Sequence, residues 1–164
     1  MRILGIDPGL SITGYGILDG QQEYITVVEA GVVRTNRQSS MADKLFHISE
    51  EVTGIISQFR PEAIAVEELY SHYGHPKTAI IMGHARGIVF LKAAEAGIPV
   101  FSYASTRIKK SLTGNGRASK QQMQLMIKST LGLTMVPEPP DTADALAVAL
   151  CHHRAAAHNL VVQA

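Results

Sequence analysis

The chain has 164 residues, 46% of them hydrophobic, with seven prolines, a single cysteine and a net charge of +1. That length and apolar content suffice for one globular domain over residues 1–164, and the cysteine count excludes both a disulfide framework and a thiolate metal site. No apolar run approaches the roughly 18 residues of a membrane span and the chain opens on a strand pattern, so a cytoplasmic protein without membrane contact is expected.

Residues 2–7 read as a strand, with apolar Ile3, Leu4 and Ile6 ahead of Asp7-Pro8-Gly9. Pro8 has no amide N–H and Gly9 can adopt positive φ, so the strand stops and leaves Asp7 facing outward at a sheet edge. Residues 12–18 form a second strand, and Asp19-Gly20 supplies a hairpin turn into a third at 24–34. Beyond Ser39 and Ser40, which can cap, Leu45, Ile48, Val52, Ile55, Ile56 and Phe59 recur at helical spacing up to Pro61. Residues 63–67 are a short, almost wholly apolar strand ending in Glu67, the pattern of a strand covered by helices on both faces.

A helix is expected over about 76–96, where Gly83, Ala85, Gly87, Ala93 and Ala94 would admit another helix at close range. Gly97-Ile98-Pro99 ends it before a strand at 100–103. Ser105 and Ser119 can cap two further helices, the second with Gln122 placed for a capping box, and Gly114-Asn115-Gly116 forms the loop between them. The last helix starts near Pro140 or Asp141 and runs to about His158, with Asp141 and Asp144 on one face of its first turn. Within it Cys151 is a small buried hydrophobe, and the adjacent His152 and His153 point apart. The order predicts an α/β fold of three layers, a five-stranded mixed sheet flanked by helices on both faces. A dinucleotide or P-loop fold is excluded, because Gly9, Gly14 and Gly16 lie in a strand-turn-strand segment that no helix follows.

Four acids form the candidate site: Asp7, Glu67, Asp141 and Asp144. Capping at a helix N-terminus would account for the last two alone, but not for acids at two strand ends. If the four converge, the site is all-oxygen and strongly negative, which suits Mg²⁺ or Mn²⁺ rather than zinc and points to metal-dependent phosphodiester chemistry. Glu67 and Glu68 face opposite ways if the strand continues, so only one of them can join Asp7. Between Ala96 and Pro137 there is no acidic residue, yet Arg107, Lys109, Lys110, Arg117, Lys120 and Lys128 all fall there. A block of one sign favours a polyanionic partner; a solvated basic face is the alternative.

An ordered series of motifs runs through the chain: Gly5-Ile6-Asp7-Pro8-Gly9, Thr13-Gly14-Tyr15-Gly16, Val66-Glu67, Gly83-His84-Ala85-Arg86-Gly87, Tyr103-Ala104 and Asp141-Thr142-Ala143-Asp144-Ala145-Leu146-Ala147. Together they resemble the RuvC-type Holliday junction resolvases, a branch of the ribonuclease H-like nuclease superfamily. The resemblance implies a ribonuclease H-like fold and two divalent metals held by acids that match Asp7, Glu67, Asp141 and Asp144. It selects Glu67 over Glu68, and the central strand makes Asp7 the residue placed to bridge the ions. It also implies that Tyr70 stacks on a base near the junction centre and that Lys109 and Lys120 lie near the DNA backbone or the scissile phosphate. Arg107, Lys110 and Arg117 are expected to add phosphate contacts.

The implied activity is DNA recombination and repair chemistry: paired symmetric nicks in four-way junction DNA, in cooperation with a branch-migration helicase complex. Two equivalent strands need two equivalent sites about a two-fold axis, so a homodimer is expected. The segment Ser71 to Pro76 departs from the family's ordinary loops. His72 and His75 have ligand-like spacing there, but in a Gly-Pro loop that lacks the helical context to aim both rings. Three rivals share parts of this pattern. They are a related nuclease acting on structured RNA, a non-catalytic junction-binding module, and the actin-like ATPases and sugar kinases, which need two such domains.

Overall fold

Alternation along a strand sets which side of a sheet each side chain serves. The computed structural model describes residues 1–21, 24–69 and 76–162. Its strands are β1 (Arg2–Asp7), β2 (Ile12–Gln21), β3 (Tyr24–Arg34), β4 (Ala63–Glu67) and β5 (Val100–Tyr103). They form one sheet in the order β3-β2-β1-β4-β5, with β2 antiparallel to β1 and β3, and β4 parallel to β1 and β5. The helices are α1 (Met41–Phe59), α2 (Pro76–Glu95), α3 (Ser105–Thr113), α4 (Lys120–Thr130) and α5 (Pro140–Val162). This is the three-layer ribonuclease H-like arrangement that the motif series implied.

Two cores lie on the two sides of the sheet. Ile3 and Ala65 pack with Ile108, Met123, Leu146 and Leu150 beneath α3, α4 and α5. Leu4, Ile6, Ile64 and Val66 pack with Ile48, Val52 and Val89 beneath α1 and α2. The odd positions of β1 and β4 therefore face α5, and this parity governs the acids that end both strands. Pairing runs from Ile3↔Ala63 to Ile6↔Val66, so the next step brings Asp7 alongside Glu67 on the α5 side.

α5 is buried from Thr142 through His153 except at Asp144, and its run of alanines lets it lie unusually close to the sheet. Glycines on β1 and β2 complete that approach. A methyl group at Gly5 would overlap the Ala145 carbonyl oxygen, and one at Gly14 would overlap the carbonyl oxygen of Asp141. Gly14 is the register partner of Asp7. The backbone of the helix start is thus seated on the sheet directly beside the first strand's acid.

Two expectations need correction. β2 does not end at residue 18, and Asp19-Gly20 is not the turn. Asp19 pairs with Arg2 in register and through a 2.7 Å ion pair, and His153 packs over Gly20, so tertiary contacts carry the strand on to Gln21. Ser105 does not cap α3; Ala104 holds that position with no side-chain cap bond. The small residues of α2 do admit another helix: Ala85 and Ala93 are buried in the core shared with α1, while Gly87 has nothing within 4 Å of its missing methyl.

Other local signals appear as read. Ser40 caps α1 and Ser119 caps α4, the latter with a reciprocal bond from Gln122. Because that box sets the start of the helix bearing Lys120, Ser119→Ala is expected to lower stability by about 1 kcal/mol. A urea midpoint equal to wild type would remove that role. His152 and His153 diverge: His152 stacks on Phe101 of β5 at 4.3 Å and lies 2.7 Å from the Tyr103 hydroxyl, whereas His153 packs over Gly20 of β2. Cys151 is buried, and no helix among the described residues is long and apolar enough to cross a membrane.

Candidate active site

The loop that follows Asp7 is pinned by threonines. The Thr13 hydroxyl donates to the Gly9 carbonyl at 2.7 Å and accepts from the Gly9 N–H at 3.3 Å, and the Thr35 hydroxyl donates to the Leu10 carbonyl at 2.7 Å. Asp7 consequently leaves a central strand into a braced turn. Glu67 ends the neighbouring strand, and the Glu68 N–H donates to the Tyr103 carbonyl at 2.9 Å. That bond continues the alternation by one residue and leaves Glu68 exposed, so Glu67 is the acid on Asp7's side. Asp141 arrives from the first turn of α5, where the helix dipole favours carboxylates, and Asp144 follows at the start of the next.

The four acids feel one another. Burial first, then the charges of Asp144, Glu67 and Asp141, push the Asp7 carboxyl from 3.8 up to about 7, against a smaller opposing pull from Lys120. Glu67 is also raised, chiefly by burial and further by Asp144; a hydrogen bond from Ser105 and the charges of Lys109 and Lys120 oppose this. Lys120 reaches over from α4 to pair with Asp144 at 3.2 Å.

The carboxylates stand within electrostatic reach without forming a closed cage. Among the described residues, no three His, Cys, Asp or Glu side chains are gathered closely enough to hold an ion directly. Mutual repulsion opposes tighter gathering, and Lys120 draws Asp144 toward itself. The donor set still fits an oxygen-preferring divalent cation: four carboxylates from β1, β4 and α5, one of them raised by burial and then by its acidic neighbours, would all gain from a double positive charge.

The basic residues divide. Lys109 and Lys120 act on the acids; Lys110 and Arg117 are exposed; the Arg107 guanidinium lies over the Tyr103 ring at 5.0 Å. Tyr70, His72 and His75 fall outside the described residues. Sequence reading missed two contributors, the glycine seat for α5 and the influence of Ser105 on the Glu67 carboxyl. Glycines at 5, 14 and 16 inside strands were the available sign of the first, since such residues mark close backbone approach. Nothing local signalled the second.

Comparison with known proteins agrees with this architecture. The family model described as crossover junction endodeoxyribonuclease RuvC matches residues 3–152. Proteins of that name from Rhodopirellula baltica and Caldicellulosiruptor saccharolyticus are 47% and 42% identical, over 92% and 93% of this chain and 85% and 92% of theirs. Thermus thermophilus RuvC, solved in complex with a Holliday junction substrate, superposes with a TM-score of 0.90 at 36% identity, covering 97% of this chain and 96% of that one. With the matched residues running from β1 into α5, through both acid-bearing strands and the helix that faces them, the chain belongs to the crossover junction endodeoxyribonuclease RuvC family.

Proposed function

We propose that the chain, as a single domain over residues 1–164, is a metal-dependent endodeoxyribonuclease that resolves four-way DNA junctions. One observation carries the reading: the parity of two parallel strands puts Asp7 and Glu67 on the face where α5 presents Asp141 and Asp144. Asp7 would sit at the centre of the metal ligands, with Glu67 on one side and the two aspartates on the other. Bound there, one or two Mg²⁺ or Mn²⁺ ions would supply charge stabilisation for the phosphate and lower the pKa of an attacking water.

A pocket with four acids repels the phosphates it must cut. Lys109 and Lys120, already acting on the acids, are the cations placed to hold a DNA backbone there. Exposed Lys110 and Arg117, together with Arg107, extend the positive surface along α3 and the segment after it. Tyr70 is proposed to stack on an unpaired base, worth about 1–3 kcal/mol. A homodimer supplies the two sites that symmetric nicking needs. Exposed Ile80 and Leu91 on α2 and Phe46 on α1 give the face opposite α5 the apolar area for such an interface. A branch-migration helicase complex is the proposed partner, as family membership supports.

The test is cleavage by the purified protein with Mg²⁺ or Mn²⁺ of a four-way DNA junction and, separately, of an RNA duplex. Paired nicks in the junction are expected; an intact junction under both metals sinks the reading, and cleavage of RNA alone favours the RNA-directed rival. Lys109→Gln and Lys120→Gln should each flatten the dependence of log binding constant on log salt by about one. A slope equal to wild type would place that lysine away from the backbone phosphates.

A further inference from the structure

The strand order leaves β3 at one edge of the sheet, and between β2, β3 and α1 lies an open groove of about 510 Å³. That volume falls within the roughly 300–1,000 Å³ of ligand pockets. Its floor is apolar: Val33 and Ile55 belong to the core beneath α1, with the Tyr15 and Phe59 rings packed against it. Its rim is acidic, with Glu29 from β3 and Glu50 and Glu51 from α1, and among the described residues no lysine or arginine lines it. Elsewhere carboxylates meet cations, as Asp19 meets Arg2 and Glu95 meets Lys92; among the described residues Glu29, Glu50 and Glu51 enter no ion pair. Their charges converge on the groove: after burial, Glu29 and Glu51 push the Tyr15 hydroxyl above its usual pKa.

Gly54 is an independent sign of an occupant. It follows Glu50 by one helical turn and lines the groove from the exposed side of α1. A glycine inside a helix weakens it relative to alanine, and here the chain gains no packing in return, because nothing lies within 4 Å of the missing methyl. What the glycine leaves is room for another backbone beside three unpaired carboxylates. The groove stands on the α1 side of the sheet and the four acids on the α5 side, so both can be occupied together.

We propose that the groove between α1 and β3 docks a basic segment of a partner protein, with arginine or lysine side chains on Glu29, Glu50 and Glu51 and an aliphatic side chain against Val33 and Ile55. Charge complementarity selects this occupant. Nucleic acid would bring phosphates against three carboxylates, and a wholly apolar segment would leave those carboxylates without partners.

The probes are short synthetic peptides of equal length, one of arginine and leucine, one of arginine and glycine, one of glutamate and leucine. Each is titrated against the whole protein by fluorescence anisotropy and by amide NMR shifts. The arginine–leucine peptide is expected to bind most tightly and to move the amide signals of Glu51, Gly54 and Gln58. Its affinity should fall at least about tenfold in the Glu50→Lys, Glu51→Lys double variant. Gly54→Leu, which fills the notch with a better helix former, should weaken it as much, with a urea midpoint no lower than wild type. An affinity unchanged in both variants overturns the proposal, as does equal or tighter binding of either other peptide. Shifts confined to the residues around Asp7 also overturn it, since the four acids are the rival seat for a basic peptide. If Gly54→Leu sediments as a smaller species than wild type, the groove is an interface between copies of this chain, and the proposal falls.

Discussion

Asp7→Asn is expected to abolish junction cleavage, by about a thousandfold or more, while making the protein harder to unfold above neutral pH. The rate loss follows from removing the proposed central ligand, and a thousandfold corresponds to about 4 kcal/mol of transition-state stabilisation. The stability gain follows from linkage. The folded-state carboxyl titrates at about 7, raised from 3.8 by burial and then by Asp144, Glu67 and Asp141. The folded protein therefore holds a proton on Asp7 that the unfolded chain has released between about pH 4 and 7. The associated stability is full below the ordinary carboxylate range and is lost as pH rises through 7. A rise of that size corresponds to at most about 4 kcal/mol, and solvent relaxation should reduce it to about 2–4 kcal/mol. Asparagine imitates the neutral acid, so urea midpoints of variant and wild type should converge near pH 4 and separate above 7. Mn²⁺ should raise the wild-type midpoint and leave the variant's nearly unmoved. A variant that cuts normally removes Asp7 from the site, and one less stable than wild type at pH 8 removes the electrostatic account.

Gly14→Ala should damage both the fold and the candidate site through a single added methyl group. The added carbon would overlap the Asp141 carbonyl oxygen, and its only escape is to lift the first turn of α5 from the sheet. Overpacking of this kind costs about 2–3 kcal/mol, or roughly 5–10 °C in Tm for a chain of this size. Cleavage should fall further than stability does, because the displaced turn carries Asp141 and Asp144, and a misplacement of about 1 Å at a reacting centre can cost 100-fold. Gly54→Ala supplies the control. Gly54 lies within α1 with nothing within 4 Å of the site of its missing methyl. The same substitution there should stabilise by about 0.5–1 kcal/mol through helix propensity alone. Opposite signs for the two would tie the loss to the seat of α5; two small losses of equal size would break that link.

The placement of the candidate acids was legible in the sequence where a local rule and a global constraint agree. Asp7 is betrayed by Pro8-Gly9, and Glu67 by the apolar run that it ends. The choice of Glu67 over Glu68 follows from alternation once a strand pairs with β1. Asp19-Gly20 illustrates the failure of a local rule. The dipeptide favours a turn, but a cross-strand ion pair with Arg2 and the ring of His153 above Gly20 outweigh that preference. Ser105 failed differently, since a serine at a helix start invites a capping reading while the helix begins one residue earlier, with Ala104 at the cap. The pairing of Lys120 with Asp144 joins two helices and leaves no trace in spacing.

The seating of α5 on the glycines of β1 and β2 also bears on the protein's biosynthesis. Asp7 is translated long before Asp141, and the two meet only when the last helix docks across the sheet. Contacts of such sequence separation close late in folding. A nascent chain that has emerged as far as β5 carries Asp7 and Glu67 but lacks the other two acids, and its strand glycines still face water. Nuclease chemistry that needs all four acids would thereby be deferred until the helix from Pro140 onward is in place, and a half-made chain on the ribosome would carry only half of the proposed site.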